Sequence, residues 1–161
     1  MAKVIRYMIA DYLNTGTGST ETYSLMGAGF SALDENPSAK VDTTAYINDK
    51  SASGTITGYE NTFAFDTQLI SDEAAIEKIY NIARNQKTGT DAECDYVRVD
   101  LWDAPESGSA YPARKFKVCV EVTGITGAGT EVVKVAGNLH QVGDFIPGTF
   151  DTATKAFTAA T

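Results

Sequence analysis

The sequence predicts a mainly β domain of the α+β kind: an antiparallel β-sandwich or barrel with one flanking α-helix at about residues 72–86. Three observations lead there. Residues 95–102 and 114–123 alternate apolar and polar side chains at period two, as a half-solvated antiparallel sheet requires. One segment, 72–86, repeats its apolar residues at three- and four-residue steps. Gly124-Ile125-Thr126-Gly127-Ala128-Gly129 reads as a glycine-rich hairpin joining one alternating run to the next.

In chain order, residues 22–26, 40–47 and 55–69 read as strands, with Gly54 and Gly58 as interruptions or bulges. The helix follows. Ser71 suits its N-cap, and Asp72 and Glu73 put negative charge where the helix dipole favours it. Ala75, Ile76, Ile79, Ile82 and Ala83 form its apolar stripe; Arg84, Lys87 and then Gly89 mark its end. Within 95–102, Val97, Val99 and Leu101 share one face, and Arg98 and Asp100 the other. Within 114–123, Phe116, Val118, Val120 and Val122 face one way, and Lys115, Lys117 and Glu121 the opposite way. Strands at 131–139 and 148–158 complete the set. Residues 14–20, 48–54 and the tail 159–161 are the expected mobile segments. With no internal repeat and no linker, residues 1–161 form a single expected domain.

Composition narrows function. Lys plus Arg number 13 and Asp plus Glu 21, a net charge of −8. Such a chain has no electrostatic grip on DNA, RNA or an anionic membrane. Its single histidine excludes a multi-histidine metal site within one copy. Cys94 and Cys119 have no CxxC neighbour; a disulfide between them is possible, but free, partly buried thiols in a reducing compartment are expected. Arg6 and Asp11 break the short apolar N-terminal stretch, and no apolar run reaches 18 residues, so neither a signal peptide nor a membrane span is expected.

Catalytic candidates fail for stated reasons. Gly16-Thr17-Gly18-Ser19 lacks the Lys and the following helix of a phosphate loop, and Gly27-Ala28-Gly29-Phe30 lacks a third glycine and a βαβ unit. His140 beside Asp144 has no nucleophile or oxyanion donor to serve. The acidic run Asp91–Asp95 lacks the central glycine and distal glutamate of a calcium loop. Trp102, Tyr96 and Tyr111 could form a sugar-stacking face, although aromatics are enriched in strands for packing alone. No enzyme activity, cofactor or metal is therefore expected.

What survives is a sheet protein with open edges and flexible arms, suited to completing its sheet with a neighbouring copy. The strings then carry a likeness. They are Tyr23-Ser24-Leu25-Met26-Gly27-Ala28-Gly29-Phe30, Leu33-Asp34-Glu35-Asn36-Pro37, Tyr46-Ile47-Asn48, Thr57-Gly58-Tyr59 and Phe63-Ala64-Phe65. Ser71-Asp72-Glu73-Ala74-Ala75-Ile76 with Lys87-Thr88-Gly89 follows, then Pro112-Ala113-Arg114-Lys115-Phe116, Gly137-Asn138-Leu139 and Gly148-Thr149-Phe150-Asp151. In this order and spacing, over nearly the whole chain, the sequence resembles the major tail tube proteins of bacteriophages and prophages of Gram-positive hosts. None of the strings is a catalytic signature.

The resemblance implies a tail-tube-like fold and hexameric rings that stack into a hollow tube around a tape-measure protein. Tail terminator and distal tail proteins are the implied further partners, and DNA passes through without specific binding. The implied location is the virion tail, assembled in the host bacterial cytoplasm, with no membrane partner. An arm at about 44–65 is expected to link subunits or rings through Tyr46, Ile47, Asp49, Lys50, Tyr59, Phe63 and Phe65. Asp42, Asp100 and Glu121 are the expected luminal acids, repelling DNA phosphates. The alternative is a carbohydrate- or receptor-binding β-sandwich module of a phage baseplate or cell surface, with Trp102 as its platform.

Overall fold

The computed structural model describes residues 2–105 and 107–161. Its strands are β1 (Ile9–Asn14), β2 (Tyr23–Leu25), β3 (Phe30–Asn36), β4 (Ala39–Thr44), β5 (Ser53–Tyr59) and β6 (Thr62–Gln68), then helix α1 (Ala74–Arg84). After the helix come β7 (Glu93–Asp100), β8 (Ala110–Thr126), β9 (Lys134–Gln141), β10 (Ile146–Asp151) and β11 (Ala156–Ala159). The described residues are mainly β, with antiparallel pairing throughout and one α-helix.

Strand β8, 17 residues long, organises the sheet. One of its edges pairs with β7 from Ala113 to Cys119. The other pairs with β10 at residues 110–115 and with β9 at residues 118–126. The resulting order is β2-β1-β7-β8-β9-β6-β3, and its two ends do not pair, so the sheet curls without closing into a barrel. Gly137 on β9 lets the two central strands approach closely: a Cβ there would sit 1.9 Å from the Glu121 carbonyl oxygen on β8.

Cores lie on both faces of this sheet. Leu13, Leu33, Phe63, Phe65, Tyr96, Phe116, Val118 and Leu139 meet the α1 stripe Ala75, Ile79 and Ile82 in the larger one. Tyr12, Tyr23, Val97, Val99, Ala113 and Phe150 form the smaller one on the opposite face. Each isoleucine that α1 buries contributes roughly 1.5–3 kcal/mol, which an 11-residue helix needs because helices this short are marginal alone.

Several sequence expectations change here. Helix α1 starts at Ala74 with Glu73 at its N-cap, not Ser71; the Glu73 N–H donates to the Ile70 carbonyl, and that turn uses up Ser71 and Asp72. It ends before Gly89, because Gln86 takes a left-handed backbone (φ 49°) and Lys87 N–H reaches the Ile82 carbonyl. The expected strand 55–69 is two strands, β5 and β6, broken at Glu60–Asn61. The expected strand 148–158 is the hairpin β10–β11, whose turn Asp151 caps by accepting from the Ala153 and Thr154 N–H groups. Strands β1 and β3 were not expected.

Candidate assembly surface

Three surfaces concern function: a charged seam, a projecting hairpin and an open polar sheet face.

The seam lies where β3 curls back toward β1, β7 and β8. Asp11, buried at 2% exposure, accepts from Arg6 Nη2 at 2.7 Å and from the Tyr96 hydroxyl, with Arg98 Nη1 3.8 Å away. Glu35 takes two hydrogen bonds from Arg114, at 2.8 and 2.9 Å, and lies 4.0 Å from Arg98 Nε. Hydrogen bonds from Arg114 hold the Glu35 carboxyl below its usual range, against the opposing effect of burial. Burial pushes the Tyr96 hydroxyl up, and adjacent Asp11 adds to it. For Arg98, burial lowers the pKa, but Tyr96, Asp11 and Glu35 together raise it by more, so the guanidinium stays charged. Arg98 therefore does not face solvent, as the alternation in 95–102 implied; β7 is covered on both faces. Nothing in the sequence could pair Asp11, Glu35, Arg98 and Arg114, which lie far apart along the chain.

The hairpin is β4–β5, residues 39–59; the segment 44–65 expected as an arm starts at the end of β4 and runs into β6. It forms its own two-stranded sheet, and all six residues of β4 are exposed. Register places Ala39 opposite Tyr59 and Val41 opposite Ile56, giving one apolar face in water. At the tip, Tyr46 N–H donates to Asp49 Oδ2 at 2.9 Å, and Ile47 is fully exposed. A lone two-stranded hairpin is marginal in water, and this one exposes Val41, Tyr46, Ile47, Ile56 and Tyr59. Tyr46, Ile47, Asp49, Lys50 and Tyr59 all lie on this hairpin. Phe63 and Phe65 do not. They point from β6 into the larger core at 0% and 3% exposure, packed on Tyr96, Phe116 and Phe30, and present nothing to a neighbour.

The polar face belongs to the four strands β3-β6-β9-β8. Opposite the core, cross-strand rows read Asp34, Ala64, Asn138, Glu121 and Ala32, Asp66, Ala136. Small and acidic side chains dominate. Glu121 accepts from Asn138 at 2.9 Å and has His140 Nε2 at 3.3 Å; these two groups lower its pKa. Of the expected luminal acids, Glu121 alone lies here; Asp42 is on the hairpin and Asp100 ends β7. His140 thus faces Glu121 rather than acting with Asp144, which lines a groove of about 530 Å³ with Glu35, Tyr59, Asn61, Arg114 and Phe145.

Both lateral edges of this four-stranded unit are open. Beyond Glu93↔Cys119, β8 runs on to Thr126 with no second sheet partner among the described residues; the Gly89–Ala92 turn lies beside its start. Strand β3 has β6 on one side only.

The remaining candidates separate. Tyr96 is wholly buried, so Trp102, Tyr96 and Tyr111 form no shared stacking face, as the packing reading of strand aromatics had it, and Trp102 is half exposed. Cys94 pairs across from Val118 on the core face, where burial pushes its thiol up to about 12, while Cys119 points to the polar face. Opposite faces rule out a disulfide between them. Among the described residues no three His, Cys, Asp or Glu side chains gather as a metal-ligand cluster, and no helix is long and apolar enough to cross a membrane.

No family model matches the chain, and no curated protein matches it. Among solved structures, the chain is similar to one in the cryo-EM structure of the anti-feeding prophage (AFP) baseplate, 6-fold symmetrised, at 8% sequence identity and a TM-score of 0.43. The match covers 86% of this chain and 89% of that chain. A likeness at this level carries no functional inference.

Proposed function

We propose that the chain is a structural, non-catalytic subunit of a phage tail tube, assembled in the host cytoplasm and resident in the virion tail. Six copies form a ring, and stacked rings make the tube. One observation carries this reading: the four-stranded unit β3-β6-β9-β8 has two open edges and a polar outer face. Because the unit holds an even number of alternating strands, β3 of one copy meets β8 of the next in antiparallel sense under simple rotation. This is a heterologous contact that closes when the rotation closes. Six such units make a barrel of about twenty-four strands. At about 4.8 Å spacing and about 40° tilt its backbone diameter is about 48 Å, wider than a DNA duplex.

The polar face then lines the lumen, with Asp34, Asp66 and Glu121 as the acids that repel DNA phosphates. In chain order the β4–β5 hairpin lies between the end of β3 and the start of β6, at one end of the unit. There it supports inter-ring contact through Tyr46, Ile47, Asp49, Lys50 and Tyr59. The resemblance of the sequence adds the tape-measure, terminator and distal tail proteins as partners.

Negative-stain microscopy of the pure protein at high concentration tests the proposal. Hollow six-fold tubes are expected. A monomer or trimer at every concentration, binding glycans through exposed Trp102, overturns it in favour of a baseplate or cell-surface binding module.

A further inference from the structure

The β3 edge that the ring requires is not bare. Arg6 donates from Nη2 to the Leu33 carbonyl of β3 at 3.0 Å and from Nη1 to the Ile9 carbonyl of β1 at 2.9 Å. The same Nη2 holds buried Asp11 at 2.7 Å. One guanidinium thus ties two strand edges that share no backbone hydrogen bonds. Because the Leu33 carbonyl points away from β6, its own N–H points the same way, and that N–H has no partner among the described residues. Between the edges runs a groove of about 600 Å³, lined by Ile9, Ala10, Leu25, Met26, Phe30 and Leu33. Extended chain entering this groove would meet outward backbone groups on β3, but only after Arg6 had left.

The residues around Arg6 are built to leave. Val4, Ile5 and Tyr7 are half or more exposed, and Arg6 itself is 48% exposed at its side chain. Apart from Asp11, its partners are main-chain carbonyls that a neighbouring strand can satisfy instead. Natural sheets guard edges with charged side chains, and an arginine fork is the side chain able to bridge two acceptors at once.

We propose that Arg6 is a clasp that closes the β3 edge in the free subunit and is displaced when a second copy inserts the free stretch of its β8, residues 120–126. This rests on the ring reading above and adds its control: subunits stay apart until the N-terminal segment swings out. The occupant is argued from length and sense. Strand β3 offers seven residues, the β8 overhang runs from 120 to 126, and the two meet antiparallel.

The test compares wild type, Arg6→Ala and Arg6→Lys. Assembly is followed by light scattering and microscopy, and folding by melting midpoint. Losing the fork should shorten the assembly lag roughly tenfold in Arg6→Ala, since net hydrogen bonds to charged groups are of that order. Arg6→Lys, which keeps the charge without the fork, should fall between, and it carries the test if the alanine variant fails to fold. On wild type, trypsin should cut after Arg6 faster in assembled rings than in free subunits. Rings that form equally fast in all three, with Arg6 better protected after assembly, refute the clasp and leave the ring standing. Wild type and variants that all stay monomeric refute the ring, and the clasp with it.

Discussion

Replacing Glu35 by Gln tests whether the charged seam holds the curled sheet. The Glu35 side chain is 21% exposed and takes both Arg114 hydrogen bonds. Glutamine keeps the shape but offers one acceptor, and turns an amide NH₂ toward a guanidinium that only donates. Arg98, 7% exposed at its side chain, is left with Asp11 at 3.8 Å as its carboxylate partner. Hydrogen bonds to charged groups are worth about 1.5–3 kcal/mol, and breaking a buried ion pair about 3–5 kcal/mol, so a partly buried site should lose about 2–4 kcal/mol. In a domain of this size that lowers Tm by about 4–16 °C. The pH dependence has a fixed sign. Arg114 depresses the Glu35 pKa in the folded state, so its stabilisation is complete above the unfolded value of 4.5 and is lost as pH falls through the folded value. The deficit of Glu35→Gln should therefore be full at pH 7 and shrink below about pH 4.5. Urea denaturation followed by circular dichroism at pH 7, 5, 4 and 3 measures it. A deficit under about 0.5 kcal/mol at pH 7, the scatter of an ordinary surface substitution, refutes the reasoning. So does a full deficit that persists unchanged to pH 3.

Two further outcomes follow from the surfaces. Deleting Lys50–Ser53 from the exposed hairpin should leave the melting midpoint unchanged, since neither core is touched, while long tubes fail to form in negative stain; normal tubes would remove the hairpin from inter-ring contact. Changing Asp34 and Asp66 to Asn with Glu121 to Gln should leave tubes intact but slow DNA passage, read as DNA retained in tails after triggered ejection; unchanged passage would argue against a luminal face there.

The sequence exposed some of this and hid the rest for physical reasons. The α1 stripe at Ala75, Ile76, Ile79 and Ile82 and the β8 alternation at Phe116, Val118 and Val120 were legible, because each element buries one face and its period shows it. Strand β1 was not, since Asp11 interrupts its apolar run. That aspartate is buried only because Arg6, Tyr96 and Arg98 meet it from other elements. Arg98 misled in the same way, a charge that alternation assigns to solvent and pairing draws inside. Phe63 and Phe65 looked like arm residues because nothing local marks the break at Glu60–Asn61 as the end of β5. The hairpin tip was legible through Asn48–Gly54, whereas the four-stranded unit depends on pairings between distant segments.

A subunit that must stay soluble and yet polymerise through strand edges needs an opposing force that can be switched off, and the net charge adds one to the Arg6 clasp. At −8 per copy, neighbours repel, and the repulsion grows as a ring fills. Backbone pairing at the edges is short-ranged and insensitive to salt, whereas charge repulsion is screened beyond about 8 Å at 0.15 M salt. The Arg6–Asp11 pair, half open to water on the arginine side, weakens with salt as well. Both restraints act in one direction, so raising ionic strength should lower the concentration needed for assembly, as read by sedimentation across a salt series. A grip on nucleic acid has the opposite signature, losing affinity steeply with salt. Assembly that weakens with salt would mean that attractive charge pairs between copies, and not strand edges, hold the ring together; the roles given to β3, β8 and Arg6 would then fall together.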